Sequence, residues 1–263
     1  MTPKVIWFLW LQGLNDAPFV VRRCYESWVK QNPDWKVILL DETNLRQYTN
    51  LQIQPASVQA YSDIIRINLL AEHGGVWVDA TCYCNKPLAD WLPAYMTAGF
   101  FAFHKPGPDR MISSWFMASL PGNYITIQYQ KAANQYWHAN PGLVPFEKSR
   151  YGFLKKYLDQ ADTGIWFSSF LKKVLKIYPY FWFHYLCEYL YRMDGHFKAL
   201  FDQMPKLSAD IPHRLQFEGL FNPIKDEIKA EIDAKTAPVH KLTWKYNEAE
   251  YKPGTVMHYL LEK

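Results

Sequence analysis

The chain's 263 residues, 49% of them hydrophobic, are enough to bury the core of one large α/β domain or of a domain with an appended subdomain. Its 29 Lys and Arg against 25 Asp and Glu leave a net charge of +4, and with no block of five or six basic residues this gives nucleic-acid binding no support, while suiting an anionic ligand or anionic lipid. Cys24, Cys82, Cys84 and Cys187 lack paired zinc spacing, and the stretch MTPKVIWFLWLQG has no basic leader or cleavage site, so reduced thiols in a cytoplasmic protein are expected.

Residues 4–11 are a near-continuous apolar run of strand length, as a strand buried on both faces of a parallel sheet requires. Gly13 and Pro18 end it. A helix over Phe19–Lys30 carries Val20, Cys24 and Trp28 at helical spacing and stops before Pro33; a second strand follows over Lys36–Asp41. Trp10, Asp41 and Asp79 fall at strand carboxyl ends, where doubly wound folds bind ligands.

The segment YSDIIRINLLAEHGGVWVDATCYC is the most informative. Asp63, Arg66, Ile67 and Leu70 share one helical stripe, which puts two charges on the face that meets the fold. A local surface ion pair three residues apart, contributing only about 0.2–0.5 kcal/mol, is the other reading of Asp63 and Arg66. Gly74 and Gly75 supply the left-handed stop of this helix. The following stretch reads as one alternating strand, with Val76, Val78, Ala80, Cys82 and Cys84 toward a core and Trp77, Asp79, Thr81 and Tyr83 forming a polar and aromatic wall.

Strands are expected over Gly99–His104 and Trp115–Leu120, then a helix over Tyr124–His138. From 150 to 200 the chain turns helical and aromatic, but His184, Glu188 and Arg192 interrupt it, so it is not a spanning helix. Lys172, Lys173 and Lys176 beside these aromatics suit a helical pair resting on a membrane surface; a helical subdomain with aromatic packing is the alternative. Aromatic residues make up 17% of the chain, 11 of them Trp, a surplus that fits sugar-binding walls or a membrane interface. In VHKLTWK a strand would turn Lys241, Thr243 and Lys245 to one face and His240, Leu242 and Trp244 to the other. Thr255 has the position of an N-cap for a last helix carrying His258.

The order S-D-I-I-R, then H-G-G-V-W-V-D-A-T, resembles the nucleotide-sugar site of family 32-type glycosyltransferases and, within that group, of bacterial capsular polysaccharide synthesis proteins. KVIWFLWLQG, PFVVRRCYESW and NPDWKVILLDETN resemble the first strand, helix and second strand of the same family. The likeness is dense over residues 3–92, thin over 93–235 and returns in PVHKLTWK. It implies a GT-A type, Rossmann-like central sheet flanked by helices, with a helical, aromatic-rich C-terminal subdomain. Residues 1–145 would bind the nucleotide sugar, 146–235 would form a helical part on the acceptor or membrane side, and 236–263 would return to the donor site.

Carried over by that resemblance, Trp10 stacks on the nucleobase, and Asp63 and Arg66 hold the sugar hydroxyls and the diphosphate side. Asp79 is the first acid of a D-x-D motif. Leu9, Gly13, Ser62, Trp77 and Val78 complete the donor contacts, with Lys241 and Lys245 available to neutralise diphosphate. Thr81 stands where the second acid, the principal metal ligand, would be. A divalent Mn or Mg ion on Asp79, Thr81 and His258 is therefore one expectation; neutralisation of the leaving group by cationic side chains is the other. Relatives retain anomeric configuration, which implies front-face attack with the departing phosphate taking the acceptor's proton. The expected partners are a UDP-sugar donor and a glycan or lipid-linked oligosaccharide acceptor, with peripheral membrane contact and no nucleic acid. A non-catalytic nucleotide- or sugar-binding protein of the same fold is the competing reading. A nicotinamide enzyme is disfavoured because LQGLNDAP holds a single Gly where a Gly-x-Gly-x-x-Gly turn would be needed.

Overall fold

A computed structural model describes residues 2–53, 55, 57–158 and 162–262. The first apolar run becomes strand β1 (Val5–Leu9), parallel to β2 (Lys36–Leu40) on one side and to β3 (Gly75–Asp79) on the other. Flanked by partners on both edges and helices on both faces, it has no use for polar residues. The hairpin of β5 (Phe100–Gly107) and β6 (Arg110–Ser119) completes a sheet of order β2-β1-β3-β6-β5, in which only β6 runs against the others.

Strand alternation sends residues to two cores. Ile6, Phe8, Val76, Val78, Phe101 and Phe116 meet helix α1 (Phe19–Gln31), with α7 (Asp210–Glu218), α8 (Asp226–Asp233) and α9 (Val256–Leu261) closing that side. Trp7, Leu9, Leu40, Trp77, Phe100 and Met117 point the other way, under α2 (Val58–Glu72), α3 (Tyr124–His138), α5 (Trp182–Met193) and α6 (Gly195–Gln203). A third, small cluster of Phe146, Leu158, Trp166, Leu171 and Ile177 gathers the short α4 (Lys155–Leu158) and the strand pair β7 (Val144–Pro145) and β8 (Ile177–Tyr178). The expected mixed α/β sheet between helical layers is thus present.

Helix α2 starts where the Ser57 side chain accepts from the Ala60 N–H and ends at the Gly pair. Gly74 has φ +66° and Gly75 +89°, and an added Cβ would lie 2.6 Å from Pro121 N at the first and 2.6 Å from the Val5 carbonyl oxygen at the second. Both conformation and space demand glycine where α2 turns back to lay β3 beside β1.

Three expectations need correction. The stretch 76–84 is not one strand: it breaks at Ala80–Thr81, and β4 (Cys82–Cys84) leaves the main sheet to pair antiparallel with β9 (Val239–Lys241). The inward set survives the break, since Ala80, Cys82 and Cys84 stay in the α1 core with Val76 and Val78, but Tyr83, expected on the wall with Trp77 and Asp79, packs against that same core. The strand expected through VHKLTWK ends at Lys241, because β4, the strand it pairs with among the described residues, is three residues long. The aromatic run is interrupted by non-helical turns, and Trp182, Phe183, Leu186 and Cys187 are core residues against α3. Among the described residues no helix is long and apolar enough to cross a membrane.

Candidate active site

Leu9 and Asp79 are register partners, so the carboxyl ends of β1 and β3 lie side by side. Trp10 follows immediately, held by its N–H to the Leu40 carbonyl at 3.0 Å and by the Gly13 N–H donating to its own carbonyl at 2.9 Å. Gly13 takes φ +79° there with open space around it, so the turn needs its conformation rather than its small size.

Arg66 enters this corner from α2 and is 3% exposed. Its Nη1 donates to Asp63 Oδ1 one turn earlier, and its Nη2 donates to Asp79 Oδ1 at 2.8 Å. Trp77 Nε1 donates to the same Asp79 oxygen at 3.0 Å. The guanidinium carbon lies 4.9 Å from the ring centre of Trp77 and 5.6 Å from that of Phe183 on α5. A planar cation between aromatic rings, with both Nη groups on carboxylates, is held in one orientation. It braces Asp63 against Asp79, reaching the latter across 13 residues of sequence from its own position.

The other Asp79 oxygen, Oδ2, faces the Lys241 ammonium at 3.8 Å, and that ammonium donates to the Thr81 hydroxyl. Pairing of β4 with β9 sets this up: Cys82 opposes Lys241, and the Leu242 N–H donates to the Thr81 carbonyl at 2.8 Å. Beyond Lys241 the chain brings the exposed Trp244 edge-on to Trp10, ring centres 5.9 Å apart at 83°.

Burial pushes the Asp63 carboxyl up to about 6, with the Arg66 charge opposing and the Asp79 charge adding to the rise. Burial also raises Asp79, but Arg66 and Lys241, with the bonds from Trp77 and Arg66, outweigh it and hold that carboxyl below the usual range. One carboxylate is thus firmly ionised and its neighbour is poised near neutrality. His184 on α5 is pushed down to about 3 by burial and then by Arg110 and Arg66, so its imidazole is neutral at pH 7. Tyr180, at the start of the same segment, is exposed and close enough to Asp63, Asp79 and Lys241 to feel their charges.

Of the residues expected at a donor site, Asp63, Arg66, Trp77, Asp79, Thr81 and Lys241 are connected by direct bonds, and Leu9 and Trp10 adjoin them through strand register. Ser62 precedes Asp63 on α2, partly exposed. Val78 is fully buried toward α1, so only its backbone can line the site. Lys245 is exposed on a loop with its ammonium 5.7 Å from the Trp244 ring centre, off the Lys241 face because the strand has ended. His258 corrects the expected metal set: Thr255 does cap α9, but the His258 ring packs 5.4 Å from Tyr251 on the α1 side and is not among the groups that meet Asp79. Phe183, Tyr180, His184 and Trp244 were not foreseen. An aromatic surplus in 177–191 hinted at the first three, whereas Trp244 was assigned to the face opposite Lys241 by a strand that stops too early. A separate cavity of about 730 Å³ opens between the 49–53 loop, α2 and α3, lined by Asn68, Gln130 and Asn134 but by none of the residues around Asp79.

Residues 1–153 and 162–260 match the family described as capsular polysaccharide synthesis protein. The O-glycosyltransferase braB of Annulohypoxylon truncatum is 28% identical over 170 residues, covering 55% of this chain and 40% of that protein. The initiation-specific alpha-1,6-mannosyltransferase of Candida albicans (strain SC5314 / ATCC MYA-2876) is 25% identical over 186 residues, covering 62% and 48% respectively. This chain therefore spans less than half the length of either relative. The solved structure of PaToxG Glycosyltransferase aligns with a TM-score of 0.43 at 12% identity, covering 99% of this chain and 86% of that one. With the family match running over nearly the whole chain, the protein belongs to the capsular polysaccharide synthesis protein family.

Proposed function

We propose that the chain is a glycosyltransferase that moves a hexosyl group from a nucleoside diphosphate sugar, UDP being the favoured nucleotide, to a growing capsular or other surface polysaccharide or lipid-linked glycan, with retention of configuration. The observation that carries this reading is the linked set Asp63–Arg66–Asp79–Lys241 at the carboxyl ends of β1 and β3, with Trp10 beside it. Such a corner offers an aromatic face for a base, carboxylates for sugar hydroxyls and a cation for a leaving diphosphate. Family membership and the transferase names of the matched relatives support the same chemistry.

The acceptor side, on this reading, is the α5 edge where Tyr180 and His184 border the carboxylates. Peripheral membrane contact would use the surface around the third cluster, where Phe153, Tyr157, Phe170 and Val174 are exposed among the Lys residues of 155–176.

The test is a screen of UDP-, GDP- and dTDP-sugars for protection against thermal unfolding and for release of nucleotide. One donor should both protect and turn over, and Asp79→Asn should abolish turnover. Full activity in that variant would sink the site assignment. Protection by a nucleotide with no turnover of any sugar under any condition would instead identify a binding protein on the same fold.

A further inference from the structure

The geometry around Thr81 bears on how charge is supplied to a departing diphosphate. A divalent ion of the Mn or Mg kind seeks hard oxygen ligands with at least one carboxylate free to coordinate, and it disfavours an adjacent cation. The residues here do not fit it. Asp79 is the only carboxylate on the D-x-T stretch, its Oδ1 already accepts from Arg66 and Trp77, and its Oδ2 faces the Lys241 ammonium. Thr81 replaces the second acid, and its hydroxyl accepts from the same ammonium. Asp63 is turned to Arg66, and His258 is elsewhere. Among the described residues no three His, Cys, Asp or Glu side chains are grouped to hold a metal ion. The charges also match: Asp63 and Asp79 stand against Arg66 and Lys241, so the protein's own groups need no dication to hold them together.

We propose that the Lys241 ammonium stands in the place of the divalent ion and is the cation that meets the donor's diphosphate, making the protein metal-independent. The proposal rests on the glycosyltransferase reading above. Arg66 cannot take this part, because it is buried and both its Nη groups are engaged. Lys241 can: it is held at its tip by Thr81 and Asp79 yet its side chain is 17% exposed. In transfer, the bond from the anomeric carbon to the phosphate oxygen breaks with its electron pair going to that oxygen. The acceptor's hydroxyl oxygen forms the new bond to the anomeric carbon, and its proton passes to the departing phosphate. The ammonium donates a hydrogen bond to the diphosphate as its negative charge grows and gives up no proton of its own. Thr81 and Asp79 are then positioning residues for Lys241, and this is a physical reason for a hydroxyl rather than a carboxylate at position 81: a second acid there would pull the ammonium into a closed ion pair.

The test uses the full chain with UDP and GDP as probes, measuring binding by calorimetry in EDTA and in Mn²⁺, together with turnover of the donor sugar found in the screen. Binding and turnover should be the same within about twofold in the two conditions. Lys241→Met should weaken nucleotide binding by about 10-fold or more in both, the loss expected for a charge-assisted bond. Lys241→Arg should recover part of it, and unfolding temperatures of both variants check that the fold persists. The double variant Thr81→Asp with Lys241→Ala should convert the protein to one whose nucleotide binding requires Mn²⁺. Binding or turnover that is lost in EDTA and restored by Mn²⁺ in the unaltered protein overturns the proposal and leaves the glycosyltransferase reading standing. Metal-independent binding that needs Lys241, with no sugar turned over, upholds the cation assignment and removes the transferase reading instead.

Discussion

Arg66 Nη2 donates to Asp79 Oδ1 at 2.8 Å, tying the middle of α2 to the last residue of β3. Because Arg66 also holds Asp63, the two carboxylates share one buried cation, and removing it leaves Asp63 without its ion-pair partner and Asp79 with Lys241 alone. Arg66→Met should therefore cost about 3–5 kcal/mol of stability, the penalty for stranding a buried charge. Arg66→Lys should fall between, since one ammonium cannot reach both Asp63 and Asp79 as the two Nη groups do while staying near the Trp77 and Phe183 rings. Urea unfolding of the three proteins checks the order; a lysine variant as stable as the parent would show that charge alone suffices.

What could be read along the chain was whatever repeats locally. The Asp63–Arg66 stripe, the Gly74–Gly75 stop and the inward set Val76, Val78, Ala80, Cys82 and Cys84 follow from helical and strand periods, which are properties of neighbouring residues. The α3 helix has the bounds its pattern implies, Tyr124–His138. Lys241 meeting Thr81 could not be read this way, because 160 residues separate them and the contact exists only once β4 leaves the main sheet. Nothing in a period-two pattern marks the break at Ala80–Thr81, since the inward residues of both halves stay in the α1 core. For the same reason the strand through residue 245 looked regular, although its length is set by β4 rather than by its own alternation.

Asp63 gives a pH dependence with a definite sign. Its folded value is raised from 3.8 to about 6, so between those values the folded protein binds more protons than the unfolded chain and this group's contribution falls as pH rises. Relative to Asp63→Asn, the parent should lose stability from pH 3.8 to about 6 and show no further change above that window. If the ionised carboxylate is the form that grips the sugar, kcat/KM should rise through about 6 as pH increases, and the Asn variant should lose that acid limb along with most of its activity. Denaturation curves across pH and a rate profile measure the two effects separately; a parent whose stability climbs through the window contradicts the assignment.

Two glycines with the same backbone need should respond differently to a methyl group. Gly13 and Gly74 both have positive φ, 79° and 66°, but Gly13 has open space where a Cβ would go, whereas Gly74 has Pro121 N at 2.6 Å and the Ser119 carbonyl oxygen at 2.8 Å. Gly13→Ala should cost about 1–3 kcal/mol, the backbone part alone. Gly74→Ala must cost clearly more, because the clash is with main chain that carries β6 into α3 and cannot yield without moving the sheet edge. Equal losses in chemical denaturation would mean that the α2–β3 turn is softer than its packing implies.

Trp244 joins Trp10 edge-on a short way past β9, the strand that ends at Lys241, whose ammonium faces Asp79. A nucleobase set against these indoles would place its diphosphate toward Lys241, so the two Trp residues should act on nucleotide affinity rather than on the chemical step. Stacking of a base on an aromatic ring contributes about 1–3 kcal/mol, which makes about a 10-fold or greater loss of UDP affinity the expectation for Trp244→Ala. Trp244 is exposed, so this variant should unfold at the parent's temperature, while Trp10→Ala, which removes a ring packed against the α1 core, should lose both affinity and stability. Tryptophan fluorescence offers a direct reading, since UDP should quench the parent and quench Trp244→Ala much less. Unchanged affinity and quenching in Trp244→Ala would take the nucleobase away from this corner and would leave Trp10 as a core residue at the end of β1.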